Sequence, residues 1–163
     1  MSRLREVSAG GMVGEVPQDA RFAIVASETN AEVTDALVAG ALATFEQQGI
    51  APDAVRVLRV AGAFELPMTA SKLLQTHVVD AVVCLGAIVR GETPHFEYLA
   101  IAVADGIQSV AIDSGVPVTF GVLTCDTLEQ ARARSGGAKG NKGSEAALAA
   151  IELAQVYSDL SRE

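Results

Sequence analysis

The stretch "RGETPHFEYL" at residues 90–99 sets one of the chain's two histidines directly behind Gly91, Thr93 and Pro94. Glycine lets a backbone approach a ligand. A helix capped by Thr93, with Pro94 as its first residue, would aim free N–H groups and the positive end of its dipole at the same spot. Those are the parts of an anion site, bound by backbone and by Thr93, with His95 one turn in and of the type suited to passing protons. An ordinary capped helix start uses the same residues, with His95 making only a local hydrogen bond. Pattern alone leaves both readings open.

A second group lies in "RSGGAKGNKG" (134–143), where Arg134, Lys139 and Lys142 stand among four glycines. Cations on a glycine-rich backbone can clamp an anion or a carbonyl-rich ring, although the order differs from a nucleotide P-loop. The competing reading is a solvated connection between two helices. Lys142 would open a helix against the dipole preference, a mild local cost that points to a use. In "GAFELP" (62–67), Glu65 would either accept from polyol hydroxyls or cap the following helix, and Phe64 alone would be core. Cys84 and Cys125 sit in or at the end of apolar runs and read as reduced, buried thiols, since a reactive cysteine needs an electropositive setting. With no neighbouring Cys or His they do not make a zinc site. His77 falls at the amino end of the expected sheet and receives no function.

Elements that could position these groups follow from hydrophobic spacing. "RFAIVAS" (21–27) reads as a strand. Residues 30–49 read as a helix in which Val33, Leu37, Ala41 and Phe45 recur every four residues, between Asn30 as N-cap and Gly49 as stop. Strands are also expected at 54–60, 80–89 and 117–125, and helices at 66–76, 93–115, 127–136 and 142–160. The 80–89 run is apolar almost throughout, as a strand covered on both faces must be. Strand and helix alternate from Arg21 onward, so the sheet should be parallel with right-handed crossovers. Ligands of such sheets bind at the carboxyl ends of the strands. That selects four loops, "SETN" (27–30), "VAGAFELP" (60–67), "VRGETPH" (89–95) and "TCDT" (124–127).

Bulk properties narrow the function classes. A chain of 163 residues is about one domain long and can bury a core without a disulfide or cofactor staple. Seven aromatic residues and no Trp leave Ala, Val, Leu and Ile to build it, which suits an α/β layered fold. A net charge of −8 with no run of like charges argues against nucleic acid and anionic membranes as partners. There is no signal-peptide core and no membrane-length apolar window, so the expectation is a cytoplasmic protein. Residues 1–20, with three glycines and a proline but little period, are expected to form an N-terminal arm before one α/β domain at 21–163.

The segments "GAFELP", "LGAIVRGETPHFEY", "FGVLTCDTLEQARARSG" and "GNKGSEAALAAIELA" resemble, in order and spacing, the 6,7-dimethyl-8-ribityllumazine synthase family of riboflavin biosynthesis, from Arg21 to Tyr157. The resemblance implies a flavodoxin-like three-layer sandwich on a four-stranded parallel sheet. It also implies assembly into pentamers, in many bacteria into icosahedral shells, with active sites between adjacent subunits. The implied reaction condenses 5-amino-6-(D-ribitylamino)uracil with 3,4-dihydroxy-2-butanone 4-phosphate, releasing phosphate and water, without metal or organic cofactor. By matching positions, His95 would shuttle protons, and Thr93, the backbone at Glu92 and Arg134 would hold the butanone phosphate. Ala63, Phe64, Glu65 and Asn30 would line the pyrimidine and ribityl pocket, and Ala87, Ile88 and Val89 would border the ring. Phe120 and Lys142 would enter from the neighbouring subunit.

Three positions depart from the family pattern. Thr29 stands where an aromatic residue usually stacks on the heterocycle, which would lower pyrimidine affinity, since base stacking is worth about 1–3 kcal/mol in the nucleic-acid analogue. Ala61 replaces a proline, and the lysine usually just before "GNKG" is displaced to Lys139. Two rivals stay open at this level: a non-catalytic flavin- or lumazine-binding, shell-forming paralogue, and a Schiff-base enzyme using Lys142. Association with riboflavin synthase and the choice between pentamer, decamer and shell are likewise open.

Overall fold

The computed structural model describes residues 16–162. Four strands, β1 (Phe22–Ser27), β2 (Val55–Val60), β3 (Ala81–Val89) and β4 (Val118–Cys125), form one parallel sheet in the order β2-β1-β3-β4. Helices α1 (Ala31–Gln47), α4 (Leu128–Ala133) and α5 (Lys142–Leu160) cover one face, and α2 (Leu66–Thr76) and α3 (His95–Ser114) the other. This is the expected α/β sandwich on a four-stranded parallel sheet, and α2 and α5 keep the expected bounds.

Strand alternation explains why the layers separate cleanly. Side chains of successive strand residues point to opposite faces. Phe22, Ile24 and Ala26 of β1 therefore join Leu37, Phe45 and Ile151 beneath α1 and α5, while Ala23 and Val25 join Leu66, Val103 and Ile107 beneath α2 and α3. Every residue of β1 is buried, and β3 is buried through Ile88, as strands covered on both faces require. Edge strand β2 is mostly open, with charged Arg56 and Arg59 along it.

Helix starts and the glycine-rich segment differ from expectation. Helix α3 opens at His95 with Pro94 in the cap position and no side-chain cap bond, so Thr93 does not cap it. Asn30 precedes α1 in the left-handed conformation, with φ 57° and ψ 52°, and its side chain does not cap that helix. Residues 134–143 are not a loose connection. Ser135–Gly137 (β5) and Gly140–Asn141 (β6) form a small antiparallel hairpin, with Gly140 at φ 80° where an L side chain would be strained. Asn141 then caps α5, accepting from Gly143 N at 2.8 Å and Ser144 N at 3.2 Å, while its amide donates to the Ala36 carbonyl at 2.9 Å. The hairpin is thus pinned to α1.

Of the expected arm, residues 1–15 lie outside the described residues. Residues 17–20 close a turn, Ala20 N donating to Pro17 O at 2.9 Å, and Val16 packs on the α1–α5 core.

Candidate active site

Three strand ends converge on an open cleft of about 750 Å³. Thr29 and Asn30 enter from the β1–α1 loop, Ala63 and Phe64 from the turn after β2, and Ala87, Ile88 and Val89 from the end of β3. Gly91, Thr93 and His95 form the side where α3 begins. Amides in the first turn of a helix lack intrahelical partners, so α3 presents N–H groups and its positive dipole end here. Thr93, free of a capping role, and the exposed His95 stand at that helix start. A phosphate with a proton carrier beside it fits this corner.

Asn30 has a specific positional task. Its side-chain N–H₂ donates to the Ala87 carbonyl at 3.0 Å, across 57 residues of sequence, tying the β1–α1 loop to the strand end that forms the cleft floor. Asn tolerates the left-handed backbone better than most side chains, which is why this residue type suits the place. Asn30→Ala is expected to cost about 1–3 kcal/mol in urea unfolding, from the lost bond plus left-handed strain. Asn30→Gly removes only the bond and should cost less. Equal losses would show that backbone strain does not contribute.

Glu65 faces its own turn: its Oε2 accepts from Gly62 N at 2.9 Å, closing the 3₁₀ turn at Ala63–Glu65. Glu65 precedes α2 without a side-chain cap bond to it, so the carboxylate caps the 3₁₀ turn before that helix and not, as the capping reading had it, the helix itself. Thr29 donates its hydroxyl to the Ala61 carbonyl at 2.9 Å and its backbone N–H to the same oxygen at 3.2 Å. Two of the three positions that depart from the family pattern, Thr29 and Ala61, therefore contact each other, and the hydroxyl restrains the loop that Ala61 would otherwise leave looser.

Arg134 and Lys142 are brought together elsewhere. They line a second, smaller cleft of about 290 Å³ at the carboxyl end of β4, with Thr124, Cys125 and Gln130. Arg134 donates to the Gln130 carbonyl at 3.1 Å, and the Lys142 ammonium pairs with Glu145. Neither borders the His95 cleft, nor do Glu65, Phe120 and the exposed Glu92. Phe120 is 41% exposed on β4, with Phe64 at 56% and Tyr98 at 73% on the rim of the first cleft. One chain thus presents two half-lined surfaces.

Several cleft residues were not foreseen. Phe96, Tyr98, Leu99 and Ala102 line it from α3. Tyr98, Leu99 and Ala102 lie three, four and seven residues after His95, so periodicity anchored on His95 would have found them, whereas Phe96, one residue on, lies off that spacing. The thiols fit the inert reading. Burial pushes Cys84 up to about 12, and burial also raises Cys125, against the opposing pull of Arg134. Among the described residues no group of three or more His, Cys, Asp or Glu is arranged to hold a metal ion, and no helix is long and apolar enough to cross a membrane.

The sequence is similar to known proteins over nearly all of these elements. The family described as 6,7-dimethyl-8-ribityllumazine synthase matches residues 19–158. A protein of that name from Xanthomonas oryzae pv. oryzae is 49% identical over 137 residues, covering 84% of this chain and 89% of the relative. One from Stenotrophomonas maltophilia is 47% identical over 144 residues, covering 88% and 93%. One from Xanthomonas campestris pv. campestris is again 49% identical over 137 residues.

Proposed function

Since the chain belongs to the 6,7-dimethyl-8-ribityllumazine synthase family of riboflavin-biosynthesis transferases, we propose that it joins 5-amino-6-(D-ribitylamino)uracil to 3,4-dihydroxy-2-butanone 4-phosphate in the His95 cleft. The observation that carries this assignment is the meeting of Thr93 and His95 at the start of α3 with the β3 backbone at Ala87–Val89 and with Phe64 across one cleft.

The butanone phosphate sits at the α3 start, held by Thr93, the backbone at Glu92 and the helix dipole. The pyrimidine lies along the Ala87–Val89 backbone between Phe64 and the Thr29 methyl, with Asn30 beside it. The ribityl chain runs toward Glu65, whose carboxylate retains acceptor capacity beyond its bond to Gly62 N. Holding amine and ketone together converts a bimolecular step into an intramolecular one, a large share of the barrier. The 5-amino group attacks the ketone, and His95 delivers the proton with which water leaves to form the imine. His95 then takes the proton from C3 as phosphate leaves C4, the phosphate charge being stabilised by α3, and the enol so formed tautomerises to a methyl ketone. Attack of the ribitylamino nitrogen on this new carbonyl, with loss of a second water, closes the ring.

Arg134, Lys142 and Phe120 come from the adjacent subunit of a homo-oligomer built from pentamers. Their separation from the His95 cleft within one chain supports this, as do the exposed Phe64, Tyr98 and Ile101 along the open side. The place of Arg134 beside Lys142 in the second cleft supports the same trans contribution for both, whereas the sequence reading grouped Arg134 with Thr93. The reaction takes place in the cytoplasm.

A mixing experiment tests the shared site. His95→Ala and Arg134→Ala proteins, each impaired in forming lumazine, are dissociated, mixed equally and reassembled. Random mixing gives about a quarter of the sites one intact chain on each side, so activity should rise toward that fraction. No recovery would mean that His95 and Arg134 serve a site on the same chain.

A further inference from the structure

Arg90 leaves β3 immediately before the phosphate loop, and its guanidinium is engaged at Nε, at NH1 and over one face. Nε donates to Asp126 Oδ1 at 2.7 Å, NH1 pairs with the Glu97 carboxylate, and the guanidinium carbon lies 4.4 Å from the Phe96 ring centroid. Its backbone N–H donates to the Cys125 carbonyl at 2.9 Å. Two of the guanidinium's partners stand in the first turn of α3 and the third in the loop after β4. Phe96 follows His95 and lines the cleft; Glu97 is in the first turn of α3. Asp126 opens the β4–α4 loop, where its own N–H donates to Gln130 Oε1 at 2.8 Å, and α4 leads to Arg134.

Position alone would make Arg90 a phosphate ligand, being the cation next to Gly91 and Thr93. The contacts argue otherwise, because two carboxylates and an aromatic face already occupy the fork. The charge-assisted bond from Arg90 holds the Glu97 carboxyl below its usual range, and the bonds to Asp126 first and Glu97 second raise Arg90. We propose that Arg90 is a positioning residue: by bridging Glu97 and Asp126 over Phe96 it sets the turn that presents His95 and locks it to the loop leading to Arg134. The proposal rests on the reading of this cleft as the lumazine-forming site. Exposed ion pairs contribute little to stability singly. Their effect here is geometric, where a displacement of about 1 Å can cost on the order of 10²-fold in rate.

The test compares Arg90→Met, Arg90→Lys, Asp126→Asn and the Arg90→Met/Asp126→Asn double variant in steady-state lumazine formation, beside the wild type. Arg90→Met should lower kcat by about tenfold to a hundredfold with KM for the pyrimidine unchanged. Asp126→Asn should move kcat the same way, Arg90→Lys should recover part of the loss, and the double variant should fall no further than Arg90→Met. Unchanged kcat in Arg90→Met overturns the proposal. So does a rise confined to KM for the butanone phosphate, with Asp126→Asn lowering that KM, since that pattern marks a direct phosphate contact. If Arg90→Met does not fold, Arg90→Lys and Asp126→Asn decide the matter on kcat alone. A wild type that forms no lumazine would instead sink the functional reading.

Discussion

His95→Ala is expected to lower kcat by about 10²–10⁴-fold, the range of general acid–base catalysis, while leaving measurable turnover. In the proposed site the residual rate would reflect binding alone, with the cleft walls, the α3 amides and Thr93 holding the two substrates without the imidazole. Stability should hardly change. His95 is exposed at the first position of α3, where alanine is an excellent helix former. Melting temperature and assembly are thus the internal control, and added imidazole should restore part of the rate by supplying the missing proton carrier. Wild-type turnover in the variant would return His95 to the local structural role that pattern alone left open.

The second large effect concerns stability, far from the reacting atoms. A Cβ at Gly143 would stand 2.0 Å from the Leu37 carbonyl oxygen and 2.7 Å from its carbon, and those are backbone atoms in the middle of α1. Neither helix can yield locally, so Gly143→Ala must lift α5 from α1. The expected cost is about 1–3 kcal/mol or more, the usual range for overpacking. Each kcal/mol lowers the melting temperature of a domain this size by about 2–4 °C. Lys142, one residue earlier, should shift with the helix, so activity falls as well. Gly91→Ala is the contrast: its Cβ would meet nothing within 4 Å, and it should leave the melting temperature unchanged. An unshifted Gly143→Ala protein would show that α1 and α5 have slack which their contact distance denies.

How much of this was legible beforehand depends on the range of the interaction. The β3 run from Ala81 to Ile88 announced a doubly covered strand, and the bounds of α2 and α5 followed from Pro67 and from the apolar spacing after Lys142. Helix starts were read less well. Thr-Pro suggested a cap at Thr93, yet the backbone enters α3 one residue later, and Asn30 turns its side chain away from the helix it precedes. In both places a helix propensity was visible, but at Asn30 the destination of the side chain was set by Ala87, distant in sequence. The glycines of 134–143 read as flexibility, whereas Asn141 bonded to Ala36 makes them a fixed hairpin.

By itself the sequence determined the alternation of elements, the burial of β3 on both faces, and membership of the 6,7-dimethyl-8-ribityllumazine synthase family. Periodicity encodes these because burial of a face repeats within a few residues. Only the tertiary structure decided that Asn30 reaches Ala87, that Arg90 is held by Glu97 and Asp126, that Gly143 meets Leu37, and that Arg134 stands with Lys142 apart from His95. Such contacts join residues from different crossovers. Their partners are fixed by strand order and loop path, which leave no periodic trace along the chain.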